Sequence, residues 1–135
     1  MTDLTKRKTL MTGLGAISAW VVCSPTAAIA AVGEQTKVGD GVTLKTLGEG
    51  KSMIPGYSKV QLREMTFQPG AVFEMHPMTN AMICHMREGE LRVDQGAGEF
   101  LVKKDTIWTC MAGGKEGAKN TGKTVAIMSI SDLMT

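Results

Sequence analysis

From residue 42 onward the chain consists of short runs in which apolar and polar residues alternate, cut by clusters of Gly, Pro, Asn and Asp. An alternation of period two gives an extended segment one face for a core and one for water, so each run predicts a strand. The predicted strands are 42–47, 57–67, 71–78, Ala81–Glu88, 90–93, 100–102, 106–111 and 125–130. Turns are predicted at Gln68-Pro69-Gly70, at Thr79-Asn80, at Gly89, over 94–98, at Lys103-Lys104-Asp105 and over 120–123. The Gly-rich stretch 112–117 reads as a loop, and residues 31–56 as an arm carrying a single strand. Nothing beyond the first thirty residues carries a helical period, so the expected class is all-β, an antiparallel sandwich or barrel.

The first thirty residues follow a different logic. Lys6, Arg7 and Lys8 make a basic start, and the weakly apolar segment 10–22 after it is too short to span a bilayer. Ala28-Ile29-Ala30 then offers a small-x-small cleavage site, so residues 1–30 are expected to be a secretory signal and the mature protein periplasmic or secreted. Thr5-Lys6-Arg7 with Leu10 resembles a twin-arginine signal with Lys in the first basic place, which leaves the general secretory route open as well.

This reading changes the charge argument. Of 15 basic and 13 acidic residues, Lys6, Arg7, Lys8 and Asp3 belong to the signal, and the remainder is formally neutral. No basic patch remains to suggest nucleic acid, nor a basic amphipathic helix to suggest a membrane surface. Cys23 leaves with the signal, so the thiols of the domain are Cys84 and Cys110. They are either a disulfide of an oxidising compartment or two buried thiols on separate strands.

The chemistry concentrates between Gly70 and Gly89. Alternation puts Glu74, His76 and Met78 on one face and Met82, Cys84 and Met86 on another. Two such faces turned inward would gather imidazole, carboxylate, thioether and thiol groups. Pro77 lacks an N–H and implies an edge strand or a bulge there. Alternation turns His85 away from the Met82 and Cys84 face, and makes Trp108 a wall residue beside Thr106 and Cys110. Met65, Met75, Met111 and Met128 read as packing residues.

These spacings resemble the cupin superfamily. Its first motif runs Gly, five residues, His-x-His, three or four residues, Glu, six residues, Gly. This chain supplies Gly70, five residues, His76-Pro77-Met78, three residues, Met82, six residues and Gly89. The second motif resembles 105–120, where Met111, Gly113, Glu116 and Asn120 stand at its Pro, Gly, His and Asn positions and Asp105 at its leading Gly. The resemblance implies a jelly-roll β-barrel over residues 57–135, dimerisation through edge strands, and a metal held at His76, Met78, Met82 and Glu116. Only His76 keeps the family's ligand identity. Thioethers favour copper(I), and imidazole suits copper in either oxidation state, so the expected ion is soft, with copper foremost.

Three alternatives stand beside this. The protein could be a metal-dependent oxygenase or isomerase acting on a small organic substrate. It could be a metal-free module whose Met-lined interior takes an apolar small molecule. Glu116 could be a solvated charge in its Gly-rich loop rather than a ligand or general base.

Overall fold

The computed structural model describes residues 32–135, so the expected signal and its cleavage site lie outside the described residues. Among the described residues there are strands and turns but no α-helix. The strands are β1 (Gln35–Gly39), β2 (Val42–Lys51), β3 (Lys59–Phe67), β4 (Val72–Pro77), β5 (Ala81–Glu88), β6 (Glu90–Asp94), β7 (Glu99–Lys103), β8 (Ile107–Cys110), β9 (Lys115–Lys119) and β10 (Ala126–Met134). They form two antiparallel sheets: a six-stranded one, ordered β1-β2-β3-β10-β5-β8, and a four-stranded one, ordered β4-β9-β6-β7. From β3 onward the chain crosses repeatedly between sheets, the winding of a jelly roll. The two sets of ladders do not join, so the expected closed barrel is instead a pair of facing sheets with the core between them.

Alternation explains most of that core. Met82, Cys84 and Met86 of β5 are buried while Ile83 and Arg87 are exposed, and Leu91 and Val93 of β6 are buried on either side of exposed Arg92. On β10, Ala126, Met128, Ile130 and Asp132 all point inward. Gly89 carries the chain from one sheet to the other with φ +72°, and a Cβ there would meet Val125 O at 2.7 Å. No other residue fits that corner without moving β10.

Two segments depart from the expectations. The stretch read as a loop over 112–117 contains the start of β9, which pairs with β4 on one side and β6 on the other. Lys-Glu-Gly-Ala-Lys has no alternating apolar residues to announce a strand; its place comes from two neighbours supplying hydrogen bonds. β1, polar and largely exposed, has no apolar pattern either, and with β2 it extends the six-stranded sheet beyond β3.

Two positions fix the turns around the site. Asp105 stands where the resemblance expects Gly and takes up the left-handed conformation itself, at φ +69°. Short polar side chains tolerate that region better than most. Asn120, which is buried, donates from Nδ2 to Phe67 O (3.2 Å) and Thr124 O (2.8 Å) and accepts from Gly122 N (3.0 Å). Its own backbone N–H and C=O bond Ala71 O and Gly70 N, each at 2.9 Å. One side chain thus ties the end of β3 to the turn before β10. Replacing Asn120 by Ala would strand buried backbone groups, and a loss of roughly 2 kcal/mol or more is expected. Urea unfolding of Asn120→Ala checks this; an unchanged midpoint would show that the turn holds without the amide.

Candidate metal centre

The site depends on a local break in alternation. On β4, Phe73 pairs with Ala118 and His76 with Glu116, so Glu74 and Met75 together stand opposite Gly117. That extra residue is a β-bulge, and it resets which side chains face inward. Phe73 and His76 turn into the interior, whereas Glu74 and Met75 turn out. Glu74 therefore does not share the His76 face, contrary to strict alternation, and Met75 is 40% exposed rather than packed. Gly117 makes the bulge possible: a Cβ there would lie 3.0 Å from Met75 N. β4 is also an edge strand, so Pro77 withholds its absent N–H from no ladder.

His76, Met78, Met82 and Glu116 all line one cavity of about 80 Å³, which opens between the two sheets. Val38, Leu44, Phe73, Met65 and Met128 supply much of its apolar wall. His76 is half-buried, with the ring of Phe73 edge-on to it at a centroid distance of 4.4 Å. Its Nδ1 lies 3.0 Å from Glu74 O. A carbonyl oxygen can only accept, so Nδ1 carries the proton, and in the neutral ring the lone pair sits on Nε2. This second hydrogen bond is the usual way a ligating imidazole is oriented.

Met78 and Met82 are buried and line the cavity. Met65 and Met128 are packed as expected, but Met111 is 72% exposed at the tip of its turn. His85 is on the outer side of β5, with Nε2 3.4 Å from Asp105 Oδ1. It faces away from the interior as alternation predicts, and among the described residues His76 is the one imidazole at the cavity.

Glu116 is only 4% exposed, which excludes the solvated-loop reading. Its Oε2 accepts from Trp108 Nε1 (3.2 Å), Gln95 Nε2 (2.8 Å) and Cys110 Sγ (2.8 Å). A carboxylate inside a protein is tolerated when donors meet it in this way. Gln95 Nε2 also lies 2.9 Å from Thr109 O and 3.3 Å from Cys110 Sγ. Trp108 is more than a wall, and Gln95, in a turn of small polar residues, carried no signal in the sequence. A second charge is balanced nearby: buried Asp132 receives Nε and Nη2 of cavity-lining Arg63 at 2.5 and 2.7 Å, a bidentate pair.

Cys84 and Cys110 are both buried free thiols, not a disulfide. A hydrogen bond with Cys110 holds the Cys84 thiol far above the ordinary thiol range, reinforced by burial and by Cys110, Glu116 and Asp132 nearby.

Neither known family descriptions nor curated proteins give a match to this chain. Solved structures do. An RmlC-like cupin from Shewanella frigidimarina is 17% identical, with 76% of this chain and 84% of that chain covered at a TM-score of 0.61. A cupin domain from Schizosaccharomyces pombe gives the same TM-score of 0.61 at 17% identity, over 76% and 69% of the two chains. KdgF from a Halomonas species is 13% identical over 76% and 87%, again at 0.61. The chain has the cupin fold. Cupins usually ligate with three imidazoles and a carboxylate, whereas the cavity in this chain is lined by a single imidazole, so its residues do not fit a hard-ion set of that kind.

The raised Cys84 pKa has a consequence for stability. Below about pH 8.5 the thiol is protonated in both folded and unfolded chains and costs nothing. Above it the unfolded thiol ionises while the folded one stays protonated, so the unfolded state is favoured and stability falls as pH rises. Thermal unfolding in chelator from pH 7 to 10 should show this fall, and Cys84→Ala should flatten it. Parallel curves for the two proteins would assign any alkaline loss to other groups.

Proposed function

We propose that this protein is an exported cupin that binds a soft metal ion, copper, inside the fold through His76, Met78 and Met82, with Glu116 as the fourth group. The observation that carries the reading is the convergence of those four side chains on one cavity from β4, the turn after it, β5 and β9. Donor type supports copper: thioethers bind copper(I) well and hard cations poorly. Size supports an ion over an organic ligand. About 80 Å³ is far below the roughly 300–1,000 Å³ of pockets that enclose organic molecules. The free Nε2 of His76 is the anchoring donor, and the neutral sulfurs add coordination without adding charge.

The bulge gives the site its entry geometry. His76 is the half-exposed donor of the set, and Met78 and Met82 are buried behind it, so an ion meets imidazole first and thioether after. Periplasmic location and a homodimer formed through edge strands belong to the same proposal.

Anaerobic titration with copper(I) against a chromogenic chelator tests it. The protein should compete for the ion, and His76→Ala should weaken that competition by more than the roughly 10–100-fold lost when a residue that only orients a ligand is removed. Iron or manganese at stoichiometric level in protein isolated from its own cells, with no uptake of copper(I), would overturn the reading.

A further inference from the structure

Next to Met82 in the β5–β8 ladder lies a second group of donors. One ligand atom each from Cys84, Cys110 and Glu116 lies within 4.8 Å of the others, and all three residues are buried. They come from β5, β8 and β9, so both sheets contribute to the cluster. A hydrogen bond runs through it, with Cys110 Sγ donating to Glu116 Oε2 at 2.8 Å.

The register bears on what the two thiols are for. Cys84 pairs with Trp108 and Cys110 with Met82, so the cysteines face each other diagonally rather than directly. Diagonal neighbours in an antiparallel ladder have Cα atoms roughly 7–8 Å apart, beyond the roughly 4.4–6.8 Å usual for a disulfide. An ion needs no such approach. Metal–thiolate bonds are about 2.3 Å long, so two sulfurs within 4.8 Å of one another can hold one cation between them after only a small adjustment.

The cluster also has its own route to solvent. Cys110 and Gln95 line a surface depression with Thr109, Met111, Gly114 and Lys115, whereas His76, Met78 and Met82 line the inter-sheet cavity. Glu116 stands between the two, walling the cavity while bonding Cys110 and Gln95. The Gln95 amide covers both Cys110 and Glu116 and belongs to a turn, so it can swing aside without disturbing either sheet.

We propose that Cys84, Cys110 and Glu116 form a thiolate position for copper(I), distinct from the His76–Met78–Met82 set and sharing Glu116 with it. The proposal rests on the reading that this interior takes a soft ion, and it adds where the ion is held most tightly. Binding is a proton exchange: one copper(I) enters, two S–H bonds break, two Cu–S bonds form and two protons leave to solvent. No oxidant or reductant takes part. Thiolates bind copper(I) more strongly than thioethers, so the first ion goes to the cysteines and the second to the outer set.

The test is an anaerobic titration of the full, reduced chain with copper(I), following ultraviolet thiolate-to-copper absorption and proton release in weak buffer. The wild-type protein should take up two equivalents, the first with new absorption and two protons released, the second with neither. Cys110→Ser and Cys84→Ser should weaken or remove the first step and leave an uptake that depends on His76, whereas Glu116→Gln, at the shared group, should weaken both steps. His76→Ala should remove the second step and keep the first. Wild-type protein alone decides the main point, so a variant that fails to fold does not leave it open. Copper uptake without thiolate absorption or proton release would overturn the cysteine position while leaving the outer site standing. Thiolate absorption that persists while His76→Ala changes nothing would do the reverse. No uptake at all would remove both.

Discussion

A carboxylate between two apolar sheets has to be met by donors, and much of the interior is arranged around that demand at Glu116. Trp108, Gln95 and Cys110 turn N–H or S–H toward its Oε2, drawing β8, the turn after β6 and β9 into one network. No buried side-chain nitrogen or oxygen among the described residues lacks a partner. Asp132 meets the same constraint through Arg63, across the β3–β10 ladder. Breaking such a pair by removing one partner typically costs about 3–5 kcal/mol. The two arrangements differ in kind. The Asp132 pair is closed, both charges used up on each other, whereas Glu116 is held by neutral donors and retains the capacity to meet a cation.

The sequence made some of this plain and hid the rest for physical reasons. β5 was legible to its ends, because Met82, Cys84 and Met86 alternate with Ile83, His85 and Arg87 and turn residues bound the run. The same alternation predicted that His85 would face outward. It failed on β4, since a bulge inserts one residue and no apolar period records the insertion. Hence Glu74 was placed on the wrong face, and Met75 looked like a packing residue. Pro77 was the available hint, but it could not say which residue the bulge would reset.

β9 was hidden differently. Lys115–Lys119 carries small and charged residues, and only the two strands flanking it make it a strand. With β9 read as a loop, Glu116 looked like a surface charge as readily as a ligand. The glycine spacings of the two motifs nonetheless put His76 and Glu116 at corresponding places, and the register makes them direct partners across β4 and β9. Met78 and Met82 could be named from spacing, but the thiol cluster could not. Its geometry depends on a diagonal between two strands separated by 26 positions in sequence, Cys84 to Cys110.

Charge ties the two proposed positions together. When copper(I) replaces two thiol protons, the interior exchanges two positive charges for one and becomes one unit more negative. The extra charge is beside Glu116, on the wall of the cavity that holds the thioethers. Opposite unit charges separated by about 6–8 Å at an effective dielectric of about 20 attract by roughly 2–3 kcal/mol. Filling the cysteine position therefore prepares the outer one for a cation, although Met78 and Met82 bring no charge of their own. A dication in the outer set would gain more from Coulomb attraction, yet beside the one carboxylate of Glu116 it would find a single imidazole and two soft sulfurs. In the proposed reading the electrostatics call for a cation and the donor atoms for a soft one, two requirements that copper(I) would meet.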